Sequence, residues 1–318
     1  MKKTSKTNLI LLFLLVILTL YLLNSKLIIT STLEYIELFI TKLFPTSFLL
    51  YIISSLLINY QIVETLNIIT KKPGKLYVII MSIICGFPSG PKHTKELLEK
   101  NYISRTTANN LLKFTHFPNP LFILGSISSL LTTKLALKIL FSIYISNFII
   151  SFFTKEKDNN LLTKCNNEID FSKALNQAIT SSFKLQILIL GTNLFFYLIS
   201  VIIVHYIKTT TIVYVFINGI FDLIKGIFST TLISNILIRS TLILTFLSFG
   251  SLSIHIQIKS ILSDTSLKYN SFLIWRIIST IISIIIFLLI YWLKINWTNN
   301  INTISSSKIW MIKSNINI

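Results

Sequence analysis

The sequence predicts an all-α fold: a polytopic helical membrane protein with two repeated halves, each containing broken or re-entrant helices. Three observations predict it. Hydrophobic residues make up 53% of the chain and charged ones only 13%, about half the charged share of a soluble domain, so its long Ile, Leu and Phe runs read as membrane-crossing helices. Two polar stretches, 85–119 and 250–270, interrupt those runs. The second echoes the first at a spacing of 164 residues: Gly86 falls on Gly250, Ser89 on Ser253, Lys95 on Lys259 and Leu98 on Leu262.

Residues 1–32 carry Lys2, Lys3 and Lys6 and then run apolar over 9–23. A secretory leader has the same order, but Leu22-Leu23-Asn24-Ser25 is a poor cleavage site. The expectation is a first transmembrane helix with a cytoplasmic N-terminus.

Residues 33–153 form the first expected repeat. Glu34, Glu37 and Lys42 make its opening amphipathic, Pro45 is expected to break it, and 46–58 is nearly pure apolar. That pattern fits an interfacial helix followed by a span, or a re-entrant hairpin. After a basic turn at 71–75, residues 76–85 are too few for the roughly 20 that cross a bilayer, which predicts a half-helix. The stretch CGFPSGPKHTKELLEKNYISRTTANNLLKFTHFPN follows. Gly86, Pro88, Gly90 and Pro91 cannot continue a helix comfortably, two lacking a Cβ and two an N–H. Backbone freed at membrane depth needs protein or a water-filled cavity as partner, so such a break can hold a polar ligand; the same residues can also form a surface loop between two spans. A short apolar run over 121–131 and a clean span over 135–153 complete this half.

Residues 154–173 read as a polar loop, placed on the cytoplasmic side by Lys155, Lys157, Lys164 and Lys173. The second repeat, 174–293, holds a span over 183–207 and an apolar run over 212–227 carrying Asn218, Gly219, Asp222, Lys225 and Gly226. Residues 232–249 are apolar apart from Asn235, Arg239 and a few Ser and Thr, and a last span covers 271–293. The basic tail 294–318, with Lys294, Lys308 and Lys313, leans towards inverted halves.

A net charge of +18 invites a nucleic-acid reading. No basic helix interleaved with aromatics supports it, and the excess Lys and Arg fit cytoplasmic loops and anionic lipid instead. Cys85 and Cys165 lie far apart without CxxC spacing, so neither a disulfide nor a zinc site is expected. HExxH and GxSxG are absent and the four histidines are scattered; no enzyme, metal or cofactor is expected, and His93 and His116 read as solvent-facing loop residues.

Asp222 is the sharpest single residue. A carboxylate in a membrane segment costs roughly 2.5–3.5 kcal/mol, so it normally faces a partner or a cavity. Lys225, three positions on, predicts a local ion pair that permits insertion, and a site role stands beside that reading. Lys92, next to the Gly-rich turn, is either an anion ligand or a cytoplasmic loop lysine.

These motifs resemble the sporulation integral membrane protein YlbJ family, also called SpoVV, whose members carry a Gate, or nucleoside-recognition, domain. Gly86, Pro88, Gly90 and Lys92 match its first motif, and Asn119, Pro120, Leu121 and Phe122 the next. Gly219, Asp222 and Gly226 match a G…E…G element, and Gly250, Leu252, Ser253, His255 and Gln257 the last. Pro91 stands for the usual Ala, Asp222 for Glu and Lys225 for Thr, and Phe249 leaves one Gly of a pair. The resemblance covers about 33–293. It implies a transporter in the outer forespore membrane of an endospore former, with the small planar dianion dipicolinate as cargo. Substrate-binding residues implied on this chain are Gly86, Pro88, Ser89, Gly90, Lys92, Asn119, Pro120, Gly219, Asp222, Lys225, Gly226, Gly250, Ser253, His255 and Gln257. Its partners would then be an anionic small molecule, the lipid bilayer, and a second copy of the chain or a spore-assembly protein. A nucleoside-type carrier, or a non-transporting component of a spore-assembly complex with the polar stretches as docking loops, are the alternatives.

Overall fold

The computed structural model describes residues 2–66, 68–154 and 170–293, with side chains from residue 7 onward. Most of the expected polar loop (155–169, with Cys165) and the basic tail lie outside the described residues.

Helix α1 (Lys2–Leu23) is followed by α2 (Ser25–Leu38), a π-helical turn (Phe39–Leu43) and α3 (Phe44–Asn59). Pro45 does not break this segment, contrary to expectation: Ser25–Asn59 is one helix of 35 residues. The reason is local. Pro45 sits in the first turn of α3, where a missing N–H is tolerated, and the wider π turn ahead of it takes up the mismatch. Short helices α4 (Ile62–Leu66), α5 (Pro73–Cys85), α6 (Ser89–Glu99) and α7 (Arg105–Phe114) come next. They lead to α8 (Pro120–Phe122), a second π turn (Ile123–Ile127) and α9 (Ser128–Leu130), then to α10 (Thr133–Phe152). The second half holds α11 (Phe171–Tyr206), α12 (Thr211–Phe221), α13 (Leu223–Ser229), a 3₁₀ turn (Thr230–Leu232), α14 (Ile236–Phe249), α15 (Leu252–Ile261) and α16 (Tyr269–Trp292). Among the described residues, five segments are long and apolar enough to cross a membrane: Ser25–Asn59, Thr133–Phe152, Phe171–Tyr206, Ile236–Ile261 and Tyr269–Trp292. No strand occurs among the described residues. The protein is a polytopic helical membrane protein.

The breaks between helices are capped by short polar residues, as orphan N–H groups require. Ser104 accepts from Thr107, Asn119 from Leu121, Thr132 from Leu135, Asp170 from Ser172, and Asn235 from Leu237 and Ile238. Asp170 starts α11 at residue 171, well ahead of the expected 183, because the polar residues before the apolar run continue its helix. Gly90 and Pro91 also propagate rather than interrupt: they lie in the first turn of α6, and the break itself is confined to Gly86–Pro88.

The two principal breaks match. Gly86 ends α5 at φ +73° and Gly250 ends α14 at φ +83°, a region open to glycine. Each donates its N–H to the carbonyl four residues back, Ser82 (3.1 Å) and Phe246 (2.9 Å). The stretches that follow meet, as the 164-residue echo predicts. Lys95 Nζ lies 3.4 Å from an Asp264 carboxylate oxygen, Arg105 donates to the Ser266 carbonyl (2.7 Å), and the Lys268 N–H donates to Asn109 (3.0 Å).

Candidate functional site: the junction of the broken helices

A cavity of about 50 Å³ lies where the breaks converge. Thr46, Ser47 and Tyr51 of α3 line one side, and Cys85, Phe87, Pro88 and Asn119 the next; Gln186 and Asn193 of α11, Leu223 and Ile224 of α13, and Ile254 and Gln257 of α15 close it. That volume holds a few waters and no larger solute.

Polar side chains tie the walls together. Asn119 caps α8 with its oxygen, while its Nδ2 donates to the carbonyls of Thr46 (2.9 Å) and Cys85 (3.4 Å). Tyr51 donates to the Phe87 carbonyl (3.3 Å), Gln186 to Ser47 Oγ (2.7 Å) and Gln257 to Asn193 Oδ1 (2.7 Å). Gln186 Oε1 is buried without a hydrogen bond. No Lys, Arg, Asp or Glu lines this cavity.

Asp222 sits at the break between α12 and α13, fully buried. Its Oδ1 accepts from the N–H groups of Ile224 (3.1 Å) and Lys225 (2.9 Å), and its Oδ2 from Tyr35 (2.8 Å). Two expectations are corrected here. Asp222 lines neither this cavity nor the next one. Nor does it form a side-chain ion pair with Lys225, whose Nζ lies 3.5 Å from Glu34 and over the Tyr197 ring (5.1 Å). Same-face spacing assumes one continuous helix, but Asp222 is the extended residue that caps the next one, so its carboxylate turns back onto the backbone.

On the far side of Asp222 a wider cavity of about 350 Å³ is lined by Ser31, Glu34, Tyr197, His205, Tyr214, Asn218 and Lys225. Lys225 therefore faces this vestibule.

The other expected residues divide between site and packing. Pro88, Asn119 and Gln257 line the junction. Lys92 is half-buried on α6, donates to Ser55 (2.9 Å) and lies 5.5 Å over the Tyr51 ring, one residue behind the cavity wall. Ser89 donates to the Met81 carbonyl (3.3 Å), and Pro120 opens α8. At Gly90, implied by the resemblance as substrate-binding, a Cβ would lie 2.1 Å from the Thr115 carbonyl oxygen, which makes it a close-packing position. Gly226 and Gly219 let α12 and α13 touch, a Cβ on Gly226 falling 2.2 Å from the Gly219 Cα. Ser253 hydrogen-bonds Ser251 (2.6 Å), and His255 pairs with the Tyr269 hydroxyl (3.0 Å).

His93 and His116 are fully buried rather than solvent-facing. His93 lies 3.5 Å from Glu96 and edge-on to Tyr77, while His116 stacks on Phe87 at 4.7 Å. One face of each polar stretch turns inward and carries the histidines into the core, while Glu99, Lys100, Arg105 and Asp264 on the other face stay exposed. Arg276 is also fully buried, where the sequence reading saw only an apolar span. It donates through Nη1 and Nη2 to Asn147 Oδ1 (3.2 Å each) and through Nη2 to the Lys113 carbonyl (2.6 Å). A lone charge inside an apolar run, the signal that marks Asp222, was present there too. Tyr35, Gln186 and Asn193 give no such signal, being neutral residues in long apolar helices.

No family model matches the chain, and no solved structure matches it. Among curated proteins it is similar to the sporulation integral membrane protein YlbJ of Bacillus subtilis (strain 168), at 25% identity over 78% of this chain and 74% of the relative. The likeness supports the resemblance read from the motifs. The chain is a multi-pass helical membrane protein similar to a protein named for sporulation.

Proposed function

We propose that this protein carries a small polar solute across a membrane through the junction of its broken helices. The carrying observation is the matched pair of breaks at Gly86 and Gly250, whose following segments meet beside a largely apolar cavity with a few amides and hydroxyls in its wall. Broken helices converging on a polar cavity are how secondary transporters hold their ligands. The burial of Ser89, His93, Thr94, His116, Ser253 and Gln257 favours this reading over a docking component, whose polar stretches would face outward.

By resemblance, the cargo is dipicolinate, the membrane the outer forespore membrane and the domain of the Gate type, while Lys2, Lys3 and Lys6 ahead of the first apolar run argue for a cytoplasmic N-terminus. One observation favours a second class of solute: the junction lining carries no cation, which suits a neutral, nucleoside-like molecule. Purified protein in proteoliposomes separates the two. Uptake of labelled dipicolinate above that of empty vesicles supports the anion reading, and uptake of labelled nucleoside alone replaces it with the neutral one. Uptake of neither rejects transport of both classes.

A further inference from the structure

We propose that Asp222 and Tyr35 form a proton-binding site between the two cavities, and that passage of solute is coupled there to movement of one proton. This rests on the transport reading above.

Residues adjacent in sequence line the two cavities. Glu34 lines the vestibule, and its neighbour Tyr35 reaches Asp222. Ile224 lines the junction, and its neighbour Lys225 the vestibule. On α11, Asn193 lines the junction, while Tyr197, one turn on, lines the vestibule and stacks on the Tyr35 ring at 5.0 Å. Two hydrogen bonds stand between the cavities, Tyr35 to Asp222 (2.8 Å) and Gln257 to Asn193 (2.7 Å).

Capping alone does not call for a carboxyl group here. Asn119 and Asn235 cap their helices at other breaks with a neutral amide. The cap also uses only Oδ1, which leaves Oδ2 to Tyr35. That pair has two satisfied states. Ionised, Asp222 accepts from the tyrosine O–H; protonated, it donates to the tyrosine oxygen, because a hydroxyl serves either role. The ionised form bears the full cost of burial and the neutral form does not, so water reaching one face or the other can shift the balance. A proton from vestibule water forms an O–H bond on Asp222 and takes its charge from −1 to 0. Breaking that bond towards junction water returns the carboxylate, with one proton moved per cycle. The ionisable groups around Asp222 are Tyr35 and Glu34 from α2, Tyr197 from α11 and Lys225 from α13; among the described residues, α14 and α15 present it with none.

Two measurements test the site. Infrared difference spectra of the reconstituted protein, titrated in pH, are expected to show a protonated carboxyl band that Asp222→Asn lacks. Tyr35→Phe, which keeps the ring on Tyr197 and removes a donor to the ionised form, is expected to move the midpoint of that band to higher pH. Should Asp222→Asn fail to fold, the Tyr35→Phe shift stands in for it. In proteoliposomes enclosing a pH dye, solute uptake by the wild type is expected to move protons. Uptake without proton movement, or a titration that Tyr35→Phe leaves in place, overturns the coupling alone. No uptake of any solute overturns the transport reading and the coupling with it.

Discussion

Asp222 and Arg276 are both fully buried charges, and neither forms an ion pair among the described residues. Their surroundings differ. Arg276 lies in close packing, its guanidinium 5.5 Å over the Phe272 ring and bonded to groups of α7 and α10. Asn147 extends that clamp by donating to the His116 carbonyl (2.8 Å) and accepting from Ser279 (3.0 Å). Asp222 itself lines neither cavity, but its neighbours do, Leu223 and Ile224 the junction and Lys225 the vestibule. The two buried charges are thus held in different ways: one is fixed by neutral acceptors in packed protein, the other by a helix cap and a tyrosine beside residues that line two cavities. Burial alone does not separate a structural charge from a working one; the space beside it does.

The largest effect expected from breaking this comparison is that of Arg276→Leu. It leaves the Lys113 carbonyl without its side-chain donor and Asn147 Oδ1 with Ser279 alone, at about 1–3 kcal/mol for each group left short. Membrane abundance and thermal unfolding in detergent should both fall sharply. Normal unfolding with lost uptake would move Arg276 from the scaffold to the solute path.

Asp222→Asn is expected to do the reverse. Insertion becomes easier, and uptake falls about tenfold or more, a change of roughly 1.4 kcal/mol in the barrier. Because Lys225 pairs with Glu34, adding Lys225→Met should not restore it. Uptake and membrane abundance of the single and double mutants decide this, and full rescue in the double mutant would make Asp222 a structural charge after all.

The glycines sharpen the comparison between halves. Alanine at either Gly86 (φ +73°, ψ −176°) or Gly250 (φ +83°, ψ 162°) takes on a backbone cost of about 1–3 kcal/mol, since this extended positive-φ region suits glycine alone. At Gly86 a Cβ also falls 2.6 Å from the Asn119 amide nitrogen, whereas at Gly250 its nearest neighbour, Ile254, is at 3.4 Å. Gly86→Ala should therefore lower the unfolding temperature more than Gly250→Ala; equal losses would contradict the packing difference. The smallest effect is expected of Glu34→Gln. Its side chain is 58% exposed in the pair with Lys225, so stability should change by at most about 1 kcal/mol, read by the same unfolding assay.

Much of this was legible in the chain. Run lengths marked the spans, and the Gly86–Gly250 echo foretold both breaks and their approach. The rest failed for physical reasons. Pro45 looked like a breaker because a π turn leaves no sequence mark, and Asp222 looked paired with Lys225 because helical spacing was carried across a cap. His93 and His116 looked exposed because polar composition does not say whether a stretch folds outward or inward. Of the site, Pro88, Asn119 and Gln257 were found through motifs. Tyr35, Gln186 and Asn193 are neutral side chains whose role depends on neighbours distant in sequence.

The most direct test of a solute path through the junction uses Cys85, which lines the cavity and is buried. With Cys165→Ser removing the other thiol, a small maleimide is expected to modify Cys85 during uptake, to block uptake, and to react more slowly under saturating unlabelled solute. Unchanged uptake with Cys85 fully modified would place the path elsewhere.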